Sequence, residues 1–305
     1  MTELIDIHCH GALGHEFGAD VKGSRAAAGY HRSQGVSQLV ASLVSGTAET
    51  MEHSVRVLAP LVAEGTLLGI HLEGPFLSDA RRGAHDPTAL RDADRALIEQ
   101  LAAVAESAGT PNALRQMTFA PERGDTRGLI GVLVDHGITP AIGHTDADAA
   151  TVTAAIDHVV ERSGHPALIT HLFNGMPPMH HRAGGPVAAA LAAAGRGDVF
   201  VELIADGVHV APEVVRMVFE TLGPEAIVLV SDSMAATGLS DGPYRIGTLD
   251  VRVEGGTARL VQGGSIAGST STLADCVRWA IDVAGLPEAD VLTAASVTPR
   301  RALRL

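Results

Sequence analysis

Eight short apolar runs alternate with Ala-rich amphipathic stretches along most of the 305 residues. The runs are nearly continuous in Val, Ile and Leu, the mark of strands buried on both faces of a parallel sheet. Polar residues, histidines above all, gather where the runs end. Together these observations predict an α/β fold, a (β/α)8 TIM-type barrel, with its chemistry at the C-terminal ends of the strands. A doubly wound sheet is the alternative, but no glycine fingerprint follows the first run.

The strands are expected at Leu4–Cys9, Val36–Leu43, Leu67–Leu72, Arg115–Ala120, Thr139–Gly143, Ala167–Leu172, Val199–Ala205 and Ile227–Val230. Helical periodicity between them places helices near Ser24–Gln34, Thr47–Glu64, Thr88–Ala108, Thr126–His136, Asp146–Arg162, Pro186–Ala194 and Ala211–Leu222. The eighth helix is expected at Thr270–Ala284. One insertion separates the eighth strand from it. Tyr244–Val261 reads as a β-hairpin with strands Leu249–Val253 and Ala258–Val261, turning at Gly255-Gly256. The stretch Ala289–Leu305 reads as a final helix pair, and residues 1–305 form one barrel domain.

Composition narrows the function. The net charge of −13 argues against nucleic acid or an anionic membrane as a partner. Lys22 is the only lysine, far from any glycine-rich stretch, which excludes a P-loop and argues against a lysine Schiff base. Aromatic residues are 3% of a chain that is 46% hydrophobic, so the core must be built from Ala, Val, Leu and Ile. Cys9 and Cys276 are too few for a disulfide framework. No run approaches the ~18 apolar residues of a membrane span, and no signal peptide is expected before the first strand. A cytoplasmic protein is expected.

The 15 histidines exceed what packing asks for, and many stand at strand ends. His8 and His10, at i and i+2, share one face of the first strand and can chelate one metal, while Cys9 points into the strand–helix layer. Glu73 ends the third strand before Gly74-Pro75, where a buried carboxylate needs a partner. A divalent cation also held by His144 and His171 supplies one, since Glu with two His is a catalytic metal set that leaves room for water. An ion pair with Arg81 or Arg82 is the other reading. Asp232 closes the eighth strand and is placed to act as general base and acid, although Ser231-Asp232-Ser233 is also good turn composition.

The stretches Ile5-Asp6-Ile7-His8-Cys9-His10-Gly11, His71-Leu72-Glu73-Gly74-Pro75-Phe76, Gly83-Ala84-His85, Ala120-Pro121-Glu122 and Gly143-His144-Thr145 carry a resemblance. It continues through Thr170-His171-Leu172-Phe173-Asn174-Gly175-Met176-Pro177, Ala205-Asp206-Gly207-Val208-His209-Val210, Val230-Ser231-Asp232 and Ile266-Ala267-Gly268-Ser269. Together they resemble the amidohydrolase superfamily and, within it, the N-acetylglucosamine-6-phosphate deacetylase family. The resemblance implies that Glu73, His144 and His171 hold a primary divalent metal and that His8 and His10 complete a second site. Zinc comes first, with Fe, Mn or Co as alternatives. It implies Asp232 as base and then acid. Ala84, His85, Asn174 and Gly175 would contact the sugar and acetamide, with Ile266, Ala267 and Gly268 along the substrate. Arg182 and His209 would bind the 6-phosphate across a homodimer interface. No lysine ends the fourth strand, so a carboxylated-lysine bridge between two metals is unavailable and Glu73 takes that role.

The implied activity is hydrolysis of N-acetylglucosamine 6-phosphate to glucosamine 6-phosphate and acetate. Another amidohydrolase acting on a non-phosphorylated N-acyl amine or amino sugar, and a catalytically impaired family member, are the alternatives. Three departures stand out. The family's small β-sandwich, built from both chain ends, is expected to be absent. Ala183 stands where the family commonly has Glu. Asn174-Gly175 replaces the usual Asn-Ala.

Overall fold

The computed structural model describes residues 3–305. Eight parallel strands follow one another around a single sheet in chain order. They are β1 (Leu4–Cys9), β2 (Val36–Leu43), β3 (Gly69–Glu73), β4 (Leu114–Phe119), β5 (Thr139–Ile142), β6 (Ala167–Ile169), β7 (Val199–Ile204) and β8 (Ile227–Val230). The ring joins between β1 and β8 through a parallel bridge, Cys9–Ser233. The Asp232 amide donates to the His8 carbonyl at 2.9 Å and the His10 amide to the Ser233 carbonyl at 2.7 Å. That seam sets His8, His10 and Asp232 side by side.

The outer layer consists of α1 (Val21–Ser33), α2 (Ala48–Ala63), α3 (Arg95–Ser107), α4 (Thr126–Asp135), α5 (Ala149–Ser163), α6 (Gly185–Arg196), α7 (Pro212–Leu222) and α8 (Leu273–Asp282). Asp20, Thr47, Asp94, Asp125, Asp148 and Thr272 each accept an N–H from the first turn of the helix they precede. Such caps fix where a helix starts, and each contributes about 1 kcal/mol. The cap at Asp94 starts α3 later than expected, and Pro87–Ala89 forms a separate 3-10 turn. The C-terminal stretch forms the expected helix pair, two short helices at Glu288–Leu292 and Thr298–Ala302, joined by a π-helical turn at Thr293–Val297.

Two apolar layers result. Leu39, Leu58, Leu101 and Ile156 belong to the large layer between strands and helices. Ile5, Ile7, Val40, Leu168, Ile204 and Val230 fill the barrel interior, where Ala302 and Leu303 join them. Strict alternation along β1 would set Ile7 and His8 on opposite faces. The register slips between Asp6 and Cys9, however. Such an irregularity re-aims side chains, and both Ile7 and His8 face inward. Cys9 points to α1, with Sγ 3.3 Å from His31 Nε2.

The insertion after β8 is larger than a hairpin. β9 (Gly242–Ile246) pairs antiparallel with β10 (Leu249–Glu254), which pairs with β11 (Thr257–Leu260). β9 contains Pro243, and it is an edge strand, where a proline's missing N–H is tolerated. Ile246, Val251, Val253 and Ala258 pack on Met234 and Ala267 beside the barrel mouth. Among the described residues, no helix is long and apolar enough to cross a membrane.

Candidate active site

The site is assembled from strand ends. Glu73 ends β3, and five histidine Nε2 atoms approach its carboxylate: His171 at 3.0 Å, His10 and His144 at 3.1 Å, His85 at 3.3 Å and His8 at 3.4 Å. Asp232 Oδ1 lies 3.3 Å from His10 Nε2 and 3.5 Å from His8 Nε2. Arg81 pairs with Asp146 at 2.7 Å, so the alternative pairing for Glu73 is not formed by that residue. Arg82 donates to the Asp79 carbonyl at 3.0 Å.

Three of these residues have strained backbones. His144, His171 and Asp232 have φ of 48°, 27° and 50°. Such conformations cost a non-glycine residue about 1–3 kcal/mol and cluster at functional sites. They turn each side chain from the strand direction back over the barrel mouth. Local bonds hold the turns. Glu122 accepts the Thr145 hydroxyl at 2.5 Å and the Asp146 amide at 2.7 Å, pinning the turn after His144. Asp6 accepts the Ser231 hydroxyl at 2.5 Å, and the Ser269 amide donates to the Asp232 carbonyl at 2.7 Å. A Cβ on Gly175 would stand 2.8 Å from His144 Nδ1, so glycine after Asn174 leaves room for the imidazole. A Cβ on Gly268 would reach within 3.0 Å of the Asp232 carbonyl.

Hydrogen bonds assign the tautomers. His144 Nδ1 donates to the Arg81 carbonyl at 2.7 Å, and His8 Nδ1 to Glu202 Oε2 at 2.9 Å. Each then keeps an Nε2 lone pair toward Glu73, as metal-ligating histidines do. His85 is opposite in kind. Its Nδ1 accepts the Ser45 amide at 3.1 Å, so Nε2 carries the proton and is a donor to the site. Burial pushes His85 down to about 4, which keeps it neutral.

The charge balance fits a divalent cation. Glu73, Glu202 and Asp232 are buried, and among the described residues their ion-pair partners are histidines alone. Burial alone would raise Glu73 and Asp232, but the surrounding imidazoles outweigh it and hold both below the carboxylate range. Burial would likewise lower His10, yet Asp232 and Glu73 raise it to about 9. His8 Nε2 and His10 Nε2 are 3.2 Å apart, and His144 Nε2 and His171 Nε2 are 3.0 Å apart. Nitrogen lone pairs that close repel unless a proton or cation stands between them. His8, His10 and Asp232 form one group able to hold an ion, and Glu73, His85 and His144 another. With Nε2 of His85 protonated, His171 is the better third ligand beside Glu73 and His144.

A cavity of about 360 Å³ opens over this cluster. Ala84, Asn174, Gly175, His209, Ile266 and Gly268 line it. Ala267 is buried and packs under the insertion rather than on the wall. Asn174 donates its side-chain N–H groups to the His171 and Leu172 carbonyls, leaving Oδ1 as an acceptor. His209 Nδ1 bonds Asp206 at 2.7 Å, which leaves Nε2 for a ligand. Burial opposes a charge on His209, but Asp206 prevails and its pKa is raised. Arg182 is not brought to the cavity. It is exposed, and its guanidinium bonds His181 Nε2 at 2.7 Å.

Sequence reasoning missed Glu202, which fixes the His8 ring and also accepts the His171 amide at 3.1 Å. Its signal is a lone carboxylate in the apolar run Val199–Ala205. Arg81, which lines the cavity and anchors His144 through its carbonyl, left no such signal.

No family model matches the chain. The N-acetylglucosamine-6-phosphate deacetylase of Bos taurus is 34% identical over 99% of this chain and 74% of its own length. The N-acetylgalactosamine-6-phosphate deacetylase of Escherichia coli O157:H7 is 31% identical over 98% of the chain and 76% of its own length. A mutant N-acetyl-D-glucosamine-6-phosphate deacetylase from Mycobacterium smegmatis, solved in complex with N-acetyl-D-glucosamine-6-phosphate, superposes with a TM-score of 0.91 at 41% identity. That match covers all of this chain and 77% of the other. The Thermotoga maritima enzyme gives 0.88 at 31% identity, over 100% and 78%. The chain belongs to the N-acetylglucosamine-6-phosphate deacetylase family.

Proposed function

We propose that this chain removes the acetyl group from N-acetylglucosamine 6-phosphate, giving glucosamine 6-phosphate and acetate. The observation that carries the reading is the convergence of histidine Nε2 atoms on Glu73 beside Asp232, at the mouth of the barrel. Glu73, His144 and His171 would hold the primary divalent cation, with His8 and His10 at a second position. Zinc suits the donor set, and Fe, Mn or Co also fit. Such an ion polarises the scissile carbonyl and acidifies water.

The chain's own residues do the rest. Asp232 accepts a proton from the attacking water and passes it to the departing amine. His85, neutral and with Nε2–H facing the site, donates to the carbonyl oxygen as charge develops there. Asn174, Gly175, Ala84, Ile266 and Gly268 position the sugar, with Ala267 shaping the segment behind. His209 and Arg182 bind the 6-phosphate, and an Arg182 that lies off its own cavity suits a homodimer in which it reaches the neighbouring one. The 305 residues act as one barrel domain, and the two buried thiols, Cys9 and Cys276, suit a reducing, cytoplasmic setting.

The exposed Arg182 favours one second reading, an N-acyl amino sugar without phosphate. Acetate release from N-acetylglucosamine with and without the 6-phosphate, and from the galacto epimer, separates them. The phosphorylated glucosamine derivative is expected to be preferred. Equal rates with and without phosphate would remove the phosphate site from the account.

A further inference from the structure

A second cavity, of about 460 Å³, lies beside the first on the side of β1 and β2. The two share His10, Val44, Ala84 and Ile246. Phe17, Leu43, Met51 and Met234 form its buried wall. The charged groups around it already have partners. Glu16 accepts the Gly247 amide at 2.7 Å, and Asp86 accepts the Thr88 amide at 2.9 Å and the Thr248 hydroxyl at 2.5 Å. His53 Nε2 bonds the Ala19 carbonyl at 3.2 Å. What faces a ligand is chiefly hydrocarbon.

Direction follows from the strand order. Asn174 and Gly175 follow β6, which is diametrically opposite β2 in the ring, and they line only the first cavity. A sugar held there presents its amide to Glu73 and Asp232. The substituent on the acyl carbon then points across the ring toward His10, Val44 and Ala84. An acetyl methyl leaves the volume beyond them untouched.

We propose that the second cavity is an acyl subsite, so that this chain hydrolyses amino-sugar phosphates carrying unbranched N-acyl groups longer than acetyl. The inference rests on the amide-hydrolase reading above. The step needs only water. Its oxygen bonds to the acyl carbon, the C–N bond breaks, the departing amine takes up the proton that Asp232 drew from the water, and a longer carboxylate replaces acetate.

The test is a series of glucosamine 6-phosphates bearing N-acetyl, N-butyryl and N-hexanoyl groups, assayed with the metal-loaded enzyme. kcat/KM is expected to rise by about fourfold for each methylene that becomes buried. Ala89→Leu, which adds bulk to the second cavity, should leave the acetyl substrate unchanged and cost the hexanoyl substrate roughly tenfold or more. Thr50→Leu gives the same test should Ala89→Leu fail to fold. Calorimetric titration of the series into the Asp232→Asn enzyme reads the same preference as affinity, independent of turnover. A wild-type enzyme that hydrolyses the acetyl substrate but loses at least tenfold with hexanoyl overturns the subsite alone. Failure with every member overturns the deacetylase reading and the subsite with it.

Discussion

At the floor of the main cavity, the candidate catalytic side chains stand on strand ends. The residues proposed to hold the phosphate stand on loops. Glu73, His8, His10, His144, His171 and Asp232 are buried and cross-braced by neighbours on several strands. His209 follows β7 and is braced by Asp206 alone, while Arg182 lies in an exposed loop and bonds its neighbour His181. A rigid floor suits bond-breaking, which tolerates little misplacement. A loop-built rim suits the part of a substrate that only needs to be held.

That contrast can be broken from the floor upward. Asp232→Asn is expected to lower kcat by about 10²–10⁴-fold, the usual worth of a positioned acid–base group, with bound metal unchanged. Loss of metal together with activity would reject the base assignment. Glu202→Gln keeps an acceptor for His8 Nδ1 but removes the negative charge behind the ring, and metal affinity or activity should fall about 10–100-fold while circular dichroism stays native. An unaffected enzyme would place Glu202 outside the working floor.

At the rim, His209→Ala should raise KM for the phosphorylated substrate about tenfold or more through loss of a charge-assisted bond, with kcat kept. The non-phosphorylated sugar should not notice. The pH dependence has a definite sign. Asp206 raises His209, so its positive charge persists above the ordinary histidine range and is lost as pH climbs through the raised value. KM for the phosphorylated substrate should therefore be low on the acid side and rise on the alkaline side, and His209→Ala should flatten the profile. Arg182→Ala should have the smallest effect, a rise in KM confined to the phosphorylated substrate. A collapse of kcat in that variant would erase the difference between floor and rim.

The floor was also the legible part. Near-continuous apolar runs separated by amphipathic helical stretches predict the barrel, because burial is a local pattern. Histidines and carboxylates at run ends stand out against Val and Leu. Alternation sets His8 and His10 on one inward face but would turn Ile7 outward; Ile7 faces inward beside His8 because of a register slip in β1, which no alternation rule contains. Glu202 was overlooked because its importance lies in a partner 194 residues away. The role of His85 depends on the Ser45 amide, and that of Arg182 on a loop conformation. The extra strand β9 was not expected, and it carries Pro243, which a strand tolerates only at an edge, a placement the sequence does not show.

The central claim is that the histidine–carboxylate floor works by holding a divalent cation for amide hydrolysis. Metal content and acetate release from N-acetylglucosamine 6-phosphate should be measured on the same preparation, before and after chelation. The account predicts stoichiometric divalent metal, loss of acetate release on chelation, and recovery when the metal is restored. Undiminished release from the metal-free chain, or none from the metal-loaded one, would contradict it.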